Sequence, residues 1–402
     1  MRLPAKATHA QTRQHNQRLV LRTVYDFGPI SRAEVARSTG LTRTTVGDVV
    51  GELLDEGMVE EVGRGPSTGG KSPILLSIIG DARQVIGLDL GESVFSGALV
   101  NLRGDVRRVV EQPVDGRNGD AALDLVFGLV DELLSESTST PLGIGVGTPG
   151  LVDTRTGTIR WAVNLDWQDL PLGGLLHERY GLPSNVANDS QAAALAEYTF
   201  GAEGQRAENL VTIKVGRGIG AGLVLNGSLF QGDGFGAGEI GHVAVVDDGA
   251  ACRCGRFGCL ETVASSRAVM AEAERVAAED PTGALGRRLA TGRLLAPADI
   301  AAVIADGDEE ARRIAVAAGR WLGRSIAGLV GVLDIHHVVL LGTVTELGPD
   351  WLEAVREEAM RRALGLLTRD LRIEVGGAAD DVVLLGASAL LLSRELGLVP
   401  AR

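Results

Sequence analysis

Residues 85–94 read Val85-Ile86-Gly87-Leu88-Asp89-Leu90-Gly91-Glu92-Ser93-Val94, an apolar run, a tight turn and the start of a second apolar run that continues to Val100. This is the pattern of a strand hairpin, and the turn Asn101-Leu102-Arg103-Gly104 closes it. The same grammar returns at Leu210–Val215, the loop Gly216-Arg217-Gly218-Ile219-Gly220, a run over 221–225 and the turn Asn226-Gly227. One hairpin per half predicts a duplicated, two-lobed architecture. Helix-like stretches at 121–135, 190–200, 265–278 and 311–329 alternate with the strands, which predicts an α/β class with helix-covered sheets.

Length and composition agree with that reading. A chain of 402 residues exceeds one ordinary core, so two or three domains are expected. Hydrophobic residues make up 45% and charged residues 23%, a globular rather than a disordered balance. Residues 1–18 are polar and contain no apolar core of a secretory signal. The best apolar stretch, 326–341, is broken by Asp334, His336 and His337, so no membrane span and a cytoplasmic location are expected. Charge is unevenly divided. Residues 1–80 hold 10 Lys+Arg against 8 Asp+Glu, a net of +2, which leaves 29 against 44, a net of −15, for residues 81–402. An acidic body repels nucleic acid, so any DNA contact is expected in the N-terminal segment.

That segment has its own pattern. Helix-like apolar spacing over 16–25 stops at Phe27-Gly28-Pro29. Ser31, with Glu34 three residues on, opens a helix Arg32–Thr39 that ends at Gly40; Thr42 caps a longer helix that ends at Gly57. Two helices joined by a glycine turn are a helix-turn-helix signature. Strand-like runs at 58–62 and Ile74–Ile78, with a glycine-rich basic loop between them, complete a winged helix. The first turn of the second helix, Thr42-Arg43-Thr44-Thr45, is expected to meet base edges, with Arg43 forking onto guanine. Arg64 and Lys71 on the wing are expected along the minor groove or the backbone. The same residues also fit a small three-helix core that binds protein or caps the body.

Chemistry concentrates between 188 and 261. Asn188-Asp189 follows a short strand and starts a helix, at the lip of a sheet where α/β active sites lie. By residue type alone, Asp189 reads as an ordinary helix N-cap ahead of a base or a hydroxyl acceptor. Gly238-Glu239-Ile240-Gly241-His242 adds a carboxylate and an imidazole. The only three cysteines, Cys252, Cys254 and Cys259, fall within eight residues, an odd number that argues against a disulfide framework. With His242 they form a Cys3His set suited to tetrahedral zinc, closed by four protein ligands and therefore structural. Zinc would pin the 247–260 loop and fix the His242 tautomer. Asn188, Asp189, Glu239, His242 and Glu261 together suit a ligand with many adjacent hydroxyls, a sugar.

Taken together, Gly145-Val146-Gly147-Thr148-Pro149-Gly150-Leu151-Val152-Asp153, Asn188-Asp189, Ala237-Gly238-Glu239-Ile240-Gly241-His242 and Cys-x-Cys-Gly-x-x-Gly-Cys-x-Glu at 252–261 resemble the ROK family of repressors, open reading frames and kinases. The resemblance covers essentially the whole chain, the winged helix included. It implies an actin-like, hexokinase-like fold of two α/β lobes with a sugar cleft, with the five polar residues on sugar hydroxyls and zinc on His242, Cys252, Cys254 and Cys259. In the kinase members the residue matching Asp189 is the catalytic base. The chain departs from the kinase pattern where phosphate should bind: Glu92 lies in the first hairpin turn, Arg217 stands where kinases have threonine, and Leu341-Gly342-Thr343 replaces Gly-Gly. A carboxylate misplaced near phosphate is costly to phosphoryl transfer. The expectation is a non-enzymatic, sugar-responsive repressor of carbohydrate-utilisation genes. A winged helix over 1–80 would precede a sugar-binding body over 81–402, with lobe one at roughly 81–190 plus the C-terminal end and lobe two at roughly 191–384. Its partners would be an inverted-repeat operator, a sugar or sugar phosphate and other copies of the chain in a homodimer or homotetramer. The alternative is an ATP-dependent, glucokinase-like sugar kinase with a DNA-binding appendage.

Overall fold

The computed structural model describes residues 8–66, 72–201, 207–290, 292, 294–377 and 381–398. The chain divides into two compact units. One holds residues 1–148, 155–186 and 387–402, and the other holds 149–154 and 187–386.

The first unit opens with helices His9–Phe27, Arg32–Thr39 and Arg43–Asp55. The capping box is present: Ser31 N–H donates to Glu34 Oε2 (2.9 Å), and Glu34 N–H to Ser31 Oγ (3.3 Å). Gly40, at φ +70°, takes the left-handed turn between the second and third helices, a conformation that costs any side-chain-bearing residue. The first helix begins at His9, seven residues earlier than the apolar spacing predicts. Its first turns are polar and solvent-facing, so they carry no periodic signal. The wing strands Val59–Arg64 and Ile74–Ile78 pair antiparallel. A third strand, Ile30–Ser31, joins the far edge of Ile74–Ile78; two residues are too few for any periodicity to reveal. Lys71 and the glycine-rich part of the wing, 67–71, lie outside the described residues.

The body of this unit is built on a five-stranded sheet in the order Ser184–Asn188, Ile144–Thr148, Gln84–Leu90, Val94–Asn101, Val106–Pro113, the last two residues of its first strand counting with the second unit. The second unit has its own five-stranded sheet in the order Ser228–Phe230, Ile219–Leu225, Leu210–Val215, His337–Leu341, Arg372–Val375. In both, a strand pairs antiparallel with its hairpin partner on one side and parallel with a later strand on the other. The duplication read from the two hairpins is therefore real, and the fold is the expected α/β class.

Glu309–Leu333 is the one helix among the described residues long and apolar enough to cross a membrane by length and composition, a stretch earlier in the chain than the expected 326–341. Its stripe of Ala311, Ile314, Ala315, Ala318, Leu322, Ile326 and Val330 is buried in the core of the second unit. There it packs on Pro349–Arg362, from which nearly buried Glu358 receives Arg324 (2.8 Å), Arg361 (2.6 Å) and Arg362. Burial would raise the Glu358 carboxyl, but the three guanidinium groups outweigh it and hold the carboxyl down at about 2. A depressed folded-state pKa gives stability that is full above the unfolded value, about 4.3, and lost as pH falls towards 2. Glu358→Gln is expected to cost about 1–3 kcal/mol at pH 7. It should also flatten the acid limb of a urea-midpoint profile between pH 5 and 2.5. Parallel acid limbs in variant and wild type would contradict the assignment.

Candidate functional site

The polar residues singled out in the sequence all lie in the second unit, and backbone geometry delivers them. Strand Ser184–Asn188 runs straight into helix Asp189–Phe200. The N-cap is Asn188: its Oδ1 accepts from Ser190 N–H (2.9 Å) and Gln191 N–H (3.3 Å), and its Nδ2 donates to Gly150 O (3.0 Å). Asp189 is thereby released from capping and occupies the first helical position. Its Oδ1 accepts from Ser190 N–H (2.7 Å) and its Oδ2 from Lys214 Nζ (2.8 Å). Lys214 is the residue that the sequence reading missed. A charged side chain inside the otherwise buried strand Leu210–Val215 was the available signal.

Glu239 and His242 stand on a tight segment wedged against the strand Ile219–Leu225. A Cβ on Gly238, where φ is +100°, would lie 1.9 Å from Ala221 O, and one on Gly241 would lie 2.1 Å from Ile219 O. Only glycine at both places lets the segment lie this close. His242 Nε2 then faces Glu239 Oε2 at 4.0 Å, while Nδ1 faces Cys252 Sγ at 3.6 Å. Glu261 accepts from Ile219 N–H (3.2 Å). The Glu239 side chain keeps 45% of its surface exposed, yet its pKa is raised. Partial desolvation is the main cause; His242 opposes it, and the Asp189 and Glu261 carboxylates add to it. The structure thus brings three carboxylates, an imidazole and an ammonium together in one open cluster. Such a set accepts several hydroxyl donors and offers N–H donors in return.

The predicted metal ligands converge. One donor atom each from His242, Cys252, Cys254 and Cys259 lies within 4.8 Å of all the others. Cys254 and Cys259 Sγ are 3.7 Å apart, far beyond a disulfide bond. A tetrahedron with metal–sulfur bonds of about 2.3 Å has edges of about 3.8 Å, so the spacing fits zinc. Two backbone bonds, Cys252 N–H to Arg256 O (2.7 Å) and Gly255 N–H to Cys252 O (3.0 Å), close the loop between the ligands. Burial and the neighbouring thiols push the Cys259 thiol up to about 12. Three thiols this close cannot all ionise unless a cation sits among them, which is the condition a divalent metal supplies.

The positions that depart from the kinase pattern are also placed. Glu92 lies in the turn between Gln84–Leu90 and Val94–Asn101, in the first unit. Arg217 sits in the turn where Val215 pairs with Ile219, and Thr343 follows Gly342, which packs on the Val215 backbone, in the second. On the winged helix, Thr42, Arg43 and Thr44 are exposed at the start of helix Arg43–Asp55, as is Arg64 on the wing. The Thr42 and Thr45 hydroxyls, 2.9 Å apart, are partly occupied, because Thr42 Oγ1 also caps Thr45 N–H (3.1 Å). Arg43 and Thr44 are left as the freer pair.

A family model described as "ROK family" matches residues 85–394. The chain belongs to the ROK family. Its two-lobed, hexokinase-like α/β architecture follows. Among ROK relatives, the xylose repressor of Caldicellulosiruptor bescii is 32% identical over 396 residues, covering 96% of this chain and 98% of the relative. A crystal structure of a ROK family transcriptional regulator, a homolog of the E. coli MLC protein, superposes with a TM-score of 0.85 at 26% identity, covering 96% and 98% of the two chains. A ROK family glucokinase from Streptomyces griseus, in complex with glucose and AMPPNP, reaches 0.68 at 29% identity and covers 76% of this chain and 98% of its own. Similarity to the regulators extends through the winged helix, and similarity to this kinase covers about the length of the ROK body alone.

Proposed function

We propose that the chain is a sugar-responsive, DNA-binding transcriptional regulator that acts as a repressor of carbohydrate-utilisation genes. The observation that carries this reading is the coexistence, in one chain, of an exposed basic turn on a winged helix and a converged polar cluster braced by a metal-ready Cys3His set. The relative named a xylose repressor is similar over 96% of the chain, a span that includes both parts.

Residues 1–80 read DNA and residues 81–402 bind the effector. Thr42, Arg43, Thr44, Thr45, Arg64 and Lys71 form the DNA face, with Arg43 and Thr44 at its centre. Asn188, Asp189, Glu239, His242 and Glu261 hold sugar hydroxyls. His242, Cys252, Cys254 and Cys259 would hold one zinc ion per chain in a structural role; since His242 Nδ1 faces the thiols, ligation there would leave Nε2–H as a donor beside Glu239. The chain works in the cytoplasm as a homodimer or homotetramer, and two-fold symmetry then calls for an inverted-repeat operator.

The reading includes no phosphoryl transfer. Glu92 brings negative charge to a hairpin turn that should present backbone to phosphate. Asp189, matched to the kinase base, already carries Lys214 on one oxygen and Ser190 N–H on the other. A coupled assay with ATP and a panel of sugars is therefore expected to show no sugar-dependent ADP release. Release that disappears in Asp189→Ala would establish the kinase alternative. For the effector site, Glu239→Gln removes a charged acceptor but keeps the shape. It is expected to weaken sugar binding by about 10-fold, since hydrogen bonds to charged groups contribute about 1.5–3 kcal/mol. Calorimetric titration checks this, with zinc content unchanged; unaltered affinity would remove Glu239 from the site.

A further inference from the structure

Two arginines link the winged helix to the strand Ser184–Asn188, which ends one residue before Asp189 of the polar cluster. Arg18, on helix His9–Phe27, donates through Nη2 to the carbonyls of Arg394 (3.1 Å) and Glu395 (3.0 Å). Those carbonyls belong to the π-helical turn Leu392–Leu396, which ends the C-terminal helix Val382–Leu391. Carbonyls at a helix end lack partners within the helix and carry the negative end of its dipole, so a guanidinium is a fitted donor. The Arg18 stem lies over Gly397, where a Cβ would sit 3.4 Å from Arg18 Cδ. Arg394 in turn donates through Nη1 to Oδ1 of buried Asn185 (2.7 Å). Asn185 is three residues before Asn188, in the same strand.

A second route runs along the C-terminal helix itself. A Cβ on Gly386 would lie 1.8 Å from Ala192 O, in the helix that Asp189 begins. A Cβ on Gly145 would lie 2.0 Å from Ala387 O. Gly386 thus lies backbone to backbone with the helix of the polar cluster, and Ala387 with strand Ile144–Thr148. Contacts of this kind contain no flexible side chain to absorb a displacement. The receiving end has room to respond. A cavity of about 260 Å³, lined by Arg18, Leu21, Leu53, Met58, Leu142 and Leu396 among others, lies beside the Arg18 contact.

We propose that Arg18, Arg394 and Asn185 form the relay through which occupancy of the polar cluster repositions the winged helix. This deepens the functional reading above and rests on it for the identity of the two ends. The three residues are positioning residues and touch neither sugar nor DNA.

Hydrogen exchange on the full chain tests the relay without any ligand. In Arg18→Gln, amides of 184–192 and 382–398 are expected to exchange several-fold faster than in wild type, while helix Glu309–Leu333 keeps its rate. Faster exchange confined to 9–27 and 392–398 would overturn the relay. Asn185→Ser, which leaves Arg18 untouched, should conversely speed exchange in 9–27, and no change there would overturn it too. With D-xylose and a DNA fragment from upstream of the chain's own reading frame, Arg18→Gln should keep each separate affinity within about twofold. The effect of sugar on DNA affinity, typically about 5- to 150-fold in coupled systems, should collapse towards one. Coupling that survives intact in the variant contradicts the relay. A wild type that ignores both ligands counts against the functional reading instead, and the exchange result still decides the relay.

Discussion

Cys254→Ser is expected to abolish the zinc binding proposed for the Cys3His set and, as a consequence, to weaken sugar binding at least tenfold. The Cys254 thiol stands 3.7 Å from Cys259 and belongs to a set in which every donor is within 4.8 Å of the rest. Serine cannot supply the soft thiolate, and three remaining ligands hold a structural zinc far less tightly. Structural zinc contributes about 10–16 kcal/mol of apparent binding free energy in small metal-folded domains, and that energy is also folding energy for the loop that carries the ligands. The loop has few other means of support: two isolated bridges, Ala244 with Cys259 and Ala251 with Phe257, and a few tight backbone bonds. Losing the ion would release His242, whose Nε2 faces Glu239 Oε2 at 4.0 Å, and so loosen the polar cluster. Metal analysis should fall from one zinc per chain to none, and calorimetry should show at least a tenfold loss of sugar affinity. A metal-free Cys254→Ser protein that binds sugar normally would separate the ion from the pocket. Exhaustive chelation of the wild type should reproduce the variant.

Arg43→Ala is expected to abolish operator recognition while leaving sugar binding and zinc intact. Arg43 is exposed on the first turn of helix Arg43–Asp55, where a recognition helix meets base edges. Its neighbours Thr42 and Thr45 are partly committed to the cap, so the planar guanidinium carries most of the readout this turn can provide. A bidentate contact to guanine contributes about 1–3 kcal/mol of discrimination, or about 5- to 150-fold in affinity per half-site. In a symmetric oligomer the loss is counted twice. Anisotropy titrations at two salt concentrations check the assignment. The variant should retain weak, salt-sensitive binding to any duplex but lose its preference for operator. Unchanged preference would move recognition to the wing.

Much of this was legible in the chain itself, and for identifiable reasons. The metal-ready donor set is written locally, because Cys252, Cys254 and Cys259 are close in sequence and thiolate chemistry admits few alternatives. Ser31, Glu34 and Thr42 announce helix starts because capping depends on three- or four-residue spacing, and the structure repeats those spacings. The two sheets were legible because each central hairpin alternates apolar runs with glycine turns. Lys214 was hidden by its setting. A lone lysine in Leu-Val-Thr-Ile-Lys-Val reads as strand, and only the paired Asp189 oxygen shows its purpose. The links from Arg18 to Arg394 and from Arg394 to Asn185 span 376 and 209 residues of sequence, and no local spacing encodes contacts of that range. By residue type Asp189 read as the N-cap, but Asn188 holds that place: its Oδ1 accepts from Ser190 and Gln191 N–H while its Nδ2 donates to Gly150 O, which leaves Asp189 as the first helical residue.

The most direct test of the whole account begins with a thermal-shift screen against a panel of sugars. Operator affinity of the wild-type protein is then measured with and without the sugar that raises the melting temperature most. The account predicts that this sugar changes DNA affinity at least fivefold, and that in Glu239→Gln the same change requires about tenfold more sugar. A sugar that stabilises the protein and leaves operator affinity unmoved, or a panel in which no sugar stabilises it at all, would contradict it.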